Sequence, residues 1–332
     1  MRKGILLTII TVFLLSIVGC QSAPTKQDTS GLTKIRVVLD MLPNTNHTGL
    51  YVAKTKEYYK NQGLDVTIIQ RGKNESVEQM LASGKAEFGI SSQQNVTTSR
   101  ADEVPVVSIA TIMQHNTTAF ASLKKDNITS PKDFEGKRYG GGGTHAEEAT
   151  IDGIMKQYNA NYKKVNKVLL GQTDFLKSIG RDADFEWIYY GWDGIEAKRT
   201  GVELNTIMLK DLNTVLDTYS PVIVTSETNA DKYKDVVTKF MAATAQGYEF
   251  AIKNPTEAAD ILIQNVPDIN KDLVKESQKW VSTKYQDDSP QWGVQKESVW
   301  TNYMNFLVDN QVIRSQIEVD EAFTNDFLPK AK

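Results

Sequence analysis

Residues 34–70 read KIRVVLDMLPNTNHTGLYVAKTKEYYKNQGLDVTIIQ, and this stretch decides the fold class. Residues 34–40 are few, β-branched and followed by Pro43, which predicts a strand. Asn46 stands where it caps a helix, and Leu50, Ala53, Lys54 and Tyr58 recur at helical spacing before Gly63 stops it. Residues 64–70 predict a second strand. Strand, helix, strand is a βαβ unit, which implies a parallel-rich sheet.

Downstream the alternation continues. Residues 76–83 predict a helix, with Ser76 and Gln79 spaced as a capping box and Gly84 as its stop. Strands are predicted at 88–91, 106–113 and 118–123. A second block opens at Ser130-Pro131-Lys132-Asp133-Phe134. It holds a strand at 137–140, a glycine turn, a helix from Thr144 to about Tyr158, and strands at 165–170, 185–190 and 222–225. Beyond Glu227 the pattern is helical to the end. Two βα blocks with a helical tail predict an α/β protein of two lobes, 33–120 with 223–332 and 121–222, joined by a hinge. The extended apolar stretches 119–123 and 221–225 are the expected crossings.

Upstream, Arg2-Lys3 precede an apolar run over 5–18, broken only by Thr8, Thr11 and Ser16, and Gly19-Cys20 follow. About 14 apolar residues fall short of the ~20 that span a bilayer, so residues 1–19 read as an export signal. Ile17-Val18-Gly19-Cys20 resembles the bacterial lipoprotein box, in which the cysteine is acylated; an ordinary signal peptide is the other reading. Residues 20–32 are polar and read as a flexible tether. Cys20 is the one cysteine of the chain, so no disulfide can staple the exported protein.

Composition narrows the function. The chain has 332 residues, 38 Lys+Arg against 41 Asp+Glu, and a net charge of −3, with no basic run to neutralise phosphates, so nucleic acid is not an expected partner. His47, His115 and His145 are far apart with no metal-ligand spacing. There is no phosphate-loop lysine and no Gly-x-Ser-x-Gly nucleophile elbow. Binding, with neither metal nor cofactor, is the expected activity.

In open α/β sheets ligands sit beyond the carboxyl ends of strands. Four stretches fall there: 40–47, 91–95, 140–145 and 187–196. All are rich in amides, hydroxyls or aromatic rings, which suits a small, polar, planar ligand. The glycine turn at 140–143 can present N–H groups to an anion or serve as a plain turn, with Thr144 and Glu147 forming a capping box. The run Trp187-Ile-Tyr-Tyr-Gly-Trp192 carries four rings beside Glu196. These suit stacking and amine recognition, or core packing and helix capping.

The sequence resembles solute-binding lipoproteins of ABC importers, in the branch that binds formylaminopyrimidine for thiamine salvage. The resemblance covers nearly all of the chain from Lys34 on. It rests on LDMLPNTNHTGLYVA (39–53), FGIS (88–91), IMQHNT (112–117), WIYYGWDGIEA (187–197), YSPVIVTSE (219–227) and QKWVSTKYQDDSPQW (278–292). It implies a two-lobed type II periplasmic-binding-protein fold with a ligand cleft at the hinge. It further implies stacking by Tyr189, Tyr190 and Trp192, capture of a ring amine by Glu196, and polar contacts from Asn44, Asn46, His47, Ser91 and Gln114. The implied partners are an aminopyrimidine, an ABC permease with its ATPase, and the membrane through a lipid on Cys20, at the extracytoplasmic face.

Two positions depart from the family pattern, Met41 and Gly142, where tryptophan is common. The loss of two rings reshapes the expected pocket and keeps riboflavin, thiamine and a sulfonate such as taurine as alternative ligands. A pyridoxal-phosphate-dependent pyrimidine synthase of the same superfamily is the catalytic alternative. Residues 91–95 lack the Lys and His, and residues 222–225 the Cys, on which the resemblance would base that chemistry.

Overall fold

The computed structural model describes residues 31–330 apart from Lys73, Asn74, Gln172 and Ser315, so the export signal and Cys20 lie outside the described residues. Two five-stranded sheets form the frame. The first holds β1 (Thr33–Leu39), β2 (Leu64–Gln70), β3 (Phe88–Ser91), β4 (Val106–Thr111) and, from far downstream, β10 (Val222–Ser226), in the order β2-β1-β3-β10-β4. The second holds β5 (Thr118–Leu123), β6 (Arg138–Gly141), β7 (Asn166–Leu169), β8 (Phe185–Tyr189) and β9 (Leu204–Met208), in the order β7-β6-β8-β5-β9.

Each sheet has a parallel trio, β2-β1-β3 and β7-β6-β8, as the βαβ pattern requires. Each is completed by antiparallel pairing: β10 runs against β3 and β4, and β5 against β8 and β9. The sheets are therefore mixed rather than parallel-rich, because β5 and β10 each follow a passage from the other sheet and need no helical crossover. The two stretches expected as crossings are these very strands, inside the sheets. The chain crosses just before each, over residues 112–117 and 213–221. β9 is an edge strand with one neighbour, and its LNTIM has too little alternation to announce it.

The first core forms where the helix Lys234–Lys253 lies across the helix Thr48–Thr55. Phe240 stacks on Phe88 with ring centroids 3.8 Å apart, and Tyr248 on Trp292 at 4.4 Å. The two helices approach so closely that a Cβ at Gly247 would stand 2.1 Å from the Gly49 carbonyl oxygen. The second core gathers Phe120, Phe134, Tyr139 and Phe185, with Phe134 and Phe185 stacked at 4.1 Å. The tail helix Glu297–Asp309 inserts Tyr303, Phe306 and Leu307 into this second core, while its Trp300 packs with Val38 and Tyr219 in a third cluster. One helix thus ties both sheets together. Each such large side chain contributes roughly 1.5–3 kcal/mol on burial.

Candidate functional site

A cleft of about 250 Å³ opens at the carboxyl ends of β3, β6 and β8, beside the second crossing. From the first sheet it takes Ser92, Gln94 and Asn95, directly after β3. From the second it takes Thr118 of β5, Gly142, Thr144 and Glu147 after β6, and Trp187, Ile188 and Tyr189 of β8. Ser220 of the crossing completes the lining. Three of the four stretches singled out in the sequence meet here.

Strand β8 explains which rings reach the cleft. Side chains alternate across a strand, so Phe185, Trp187 and Tyr189 share one face while Glu186 and Ile188 take the other. Phe185 and Trp187 pack on the second core, where Trp187 lies 5.4 Å from the Phe120 ring. Tyr189 shares a hydrogen bond of 3.2 Å with Ser220 Oγ, joining the sheet to the crossing. Burial raises the Tyr189 pKa, helped by the carboxylates of Asp40 and Asp193, so the phenol stays neutral.

After Tyr189 the chain winds into a π-helical turn, Tyr190–Gly194, and its rings turn elsewhere. Tyr190 packs against Trp280 at 5.5 Å, and Trp192 packs against the first core. The helix Lys271–Val281 holds this turn: Ser277 Oγ donates to the Gly191 carbonyl, and a Cβ at Gly191 would come within 2.8 Å of both Trp280 and Val281. Glu196, on the following helix, is committed to Arg199 at 2.6 and 2.8 Å and to Asn270 Nδ2 at 3.2 Å. Tyr190, Trp192 and Glu196 do not line the cleft; their neighbours are packing partners.

The turn after β1 is likewise occupied with itself. Asn44, rather than Asn46, caps it: Asn44 Oδ1 accepts from Asn46 N–H at 2.8 Å. Asn44 N–H donates to His47 Nδ1 at 3.2 Å, which places the ring proton on Nε2, 2.9 Å from Asp40 Oδ1. Asn44, Asn46 and His47 are buried, and the Asn46 side-chain NH₂ has no partner. Ser91 Oγ donates to Glu78. Gln114 is buried in the first crossing, its backbone N–H donating to Lys284 O at 3.2 Å and its side-chain oxygen unpaired. None of these five is among the residues that line the cleft.

The glycine turn is already filled. Glu147 Oε2 accepts from Gly143 N–H at 2.9 Å and Thr144 N–H at 3.3 Å, and Oε1 accepts from Gly142 N–H at 3.3 Å and from the Tyr139 hydroxyl. Thr144 Oγ1 in return accepts from Glu147 N–H at 3.2 Å, closing the capping box that starts the helix His145–Gln157. Gly143, at φ +72°, supplies the left-handed residue that lets consecutive N–H groups converge. Thr118, Ser220 and Glu147 were not singled out by sequence as site residues; only Glu147 carries a local signal, its capping spacing. Among the described residues no group of three or more His, Cys, Asp or Glu is arranged to hold a metal.

The NMT1/THI5-like family model matches residues 44–258, well over half of the chain and all of the cleft. The chain belongs to the NMT1/THI5-like family. This NMT1/THI5-like protein is 25% identical to the formylaminopyrimidine-binding protein of Halalkalibacterium halodurans over 94% of its own length and 96% of that protein. It is 24% identical to the riboflavin-binding protein RibY of Chloroflexus aurantiacus, over 92% and 89% of the two chains. A relative named as an enzyme, the 4-amino-5-hydroxymethyl-2-methylpyrimidine phosphate synthase THI11 of Saccharomyces cerevisiae, is 25% identical over 72% of this chain and 73% of its own. In three dimensions the NMT1/THI5-like chain superposes on the alkanesulfonate-binding protein SsuA of Xanthomonas axonopodis pv. citri bound to MOPS. The TM-score is 0.66 at 12% identity, over 88% of this chain and 98% of that one. The fold is that of the periplasmic binding proteins.

Proposed function

We propose that this protein is the extracytoplasmic receptor of an ABC importer and captures an aminopyrimidine precursor of thiamine, formylaminopyrimidine or hydroxymethylpyrimidine, without making or breaking a bond. The observation that carries the reading is the cleft itself. Trp187 and Tyr189 line it together with the amides and hydroxyls of Ser92, Gln94, Asn95 and Ser220. Aromatic faces suit a flat heterocycle, and neutral donors and acceptors suit its ring nitrogens and amine. The volume of about 250 Å³ lies just below the usual small-molecule range of ~300–1,000 Å³, which favours one ring over the fused rings and ribityl chain of riboflavin.

In this reading each sheet carries one lobe, the first built on β1–β4 with β10 and the second on β5–β9, so that the boundaries fall before β5 and before β10, and residues 112–117 and 213–221 act as the hinge. A ligand touching both lobes favours the closed arrangement by its differential affinity, and the permease recognises that arrangement. The relative from Halalkalibacterium halodurans supports the ligand class. Cys20 is the acylation site in this reading, and Cys20→Ser is expected to release the protein from the membrane.

Thermal unfolding of the purified protein with formylaminopyrimidine, hydroxymethylpyrimidine, thiamine, riboflavin or taurine tests the proposal. A ligand at 100 times its dissociation constant adds about 2.7 kcal/mol, a clear rise in melting temperature. A rise with the aminopyrimidines alone supports it. A rise only with riboflavin, the ligand named for the Chloroflexus relative, or only with taurine, overturns the assigned ligand.

A further inference from the structure

We propose that Glu147 sets the charge specificity of the cleft, holding its own carboxylate where an anionic group would otherwise bind and so reserving the cleft for uncharged ligands. The proposal rests on the reading of the cleft as a ligand site and adds the class of ligand that it refuses. Three successive backbone N–H groups, those of Gly142, Gly143 and Thr144, and the Tyr139 hydroxyl all donate to this one carboxylate. Converging backbone N–H groups of this kind make an anion-binding concavity, and the 13-residue helix His145–Gln157 adds the positive end of its dipole. Four donors directed at one place would hold a phosphate or sulfonate oxygen cluster well.

That place belongs to the cleft. Gly142, Thr144 and Glu147 line it together with Trp187 and Tyr189. The Glu147 carboxylate therefore acts as a resident anion: it satisfies the donors and puts a negative charge beside any ligand that enters. Capping alone asks less of it. A capping box needs one bond from the residue at the third helical position to the N-cap N–H, here Thr144. The bonds from Gly142, Gly143 and Tyr139 are additional, and they are the ones that close the concavity. A Cβ at Gly141 would stand 2.5 Å from Glu147 Oε1, so the turn is shaped around this side chain.

The proposal separates two effects of Glu147, capping and charge, and its test does the same. Inorganic phosphate is titrated calorimetrically into the wild-type protein, Glu147→Ala and Glu147→Asp. Alanine removes both cap and charge, whereas aspartate shortens the cap and keeps the charge. The expected result is phosphate binding at least about tenfold tighter in Glu147→Ala than in the wild type, with no such gain in Glu147→Asp. Equal phosphate affinity in all three proteins, or an equal gain in Glu147→Asp, overturns the proposal. If circular dichroism shows that Glu147→Ala has not folded, Glu147→Gln replaces it: a gain in phosphate affinity over the wild type is expected, and no gain overturns the proposal. Phosphate binding is read without any pyrimidine. Failure of the wild type to bind pyrimidines therefore counts against the proposed function and leaves the phosphate comparison to judge Glu147.

Discussion

His115 of the first crossing and Asp217 of the second are joined by a 2.6 Å contact between Nδ1 and Oδ2, which ties the two connecting segments to each other. The other ring nitrogen of His115 lies 3.1 Å from Asp288 Oδ1, in the loop before Trp292. Asp217 Oδ1 also accepts from Asn116 N–H at 2.8 Å, so the link is anchored in the backbone. Only the imidazolium can donate to both carboxylates at once.

Burial works against that imidazolium, but Asp217 and Asp288 outweigh it and raise the His115 pKa above its ordinary value. A raised histidine pKa contributes stability that is full below the unfolded value, ~6.5, and is lost as pH rises through the folded value. The melting temperature of the wild type is therefore expected to fall through this window. His115→Gln should lose that part of the fall, as differential scanning calorimetry at a series of pH values would show. An unchanged pH profile would mean that the link contributes nothing.

Glu186 titrates for a different reason. It sits 7% exposed on the face of β8 opposite Trp187 and Tyr189, with Oε1 unpaired. Burial pushes its pKa up to about 7, opposed by a bond from Ser178 and helped by Asp193 and Asp182. Between the ordinary carboxyl value, ~4.3, and 7 the folded state binds more protons than the unfolded, so stability falls as pH rises. Glu186→Gln should be the more stable protein at pH 8, by roughly 2 kcal/mol, with little gain at pH 4.5. Chemical denaturation at the two pH values measures it.

Glu196→Gln is expected to leave ligand affinity unchanged and to alter stability by less than about 1 kcal/mol, because Arg199 and Asn270 already occupy the carboxylate near the surface. A tenfold loss of affinity for an amine-bearing ligand would show that Glu196 leaves Arg199 to meet the ligand.

Gly247→Ala should destabilise the protein by about 2–3 kcal/mol, since the added methyl meets the Gly49 carbonyl at 2.1 Å and the Ala53 Cβ at 3.0 Å, and two packed helices must part. A melting temperature equal to that of the wild type would show that the helices can part freely.

The architecture was legible where one element carries its own signal. The alternation over residues 34–70 announces β1, the following helix and β2, and the glycine turn with Thr144 and Glu147 announces a capped helix. The site was legible as regions, not as side chains. Within the aromatic run, Trp187 and Tyr189 line the cleft because β8 alternates. Tyr190 and Trp192 do not, because the π-helical turn hands them to Trp280 and the first core. That partner lies about ninety residues downstream, beyond any local pattern. Glu196 had a rival partner in plain view, Arg199 at helical spacing, and the ion pair took it. The mixed pairing of β5 and β10 follows from where the chain crosses, which periodicity does not report.

The central claim is that the Trp187 and Tyr189 cleft binds an uncharged aminopyrimidine. Calorimetric titration of formylaminopyrimidine into the wild type and into Tyr189→Ala tests it most directly. Loss of one stacked ring costs about 1–3 kcal/mol, so saturable binding by the wild type and a roughly tenfold or greater loss in the variant are expected. No binding by the wild type, or equal affinity in both proteins, would contradict the claim.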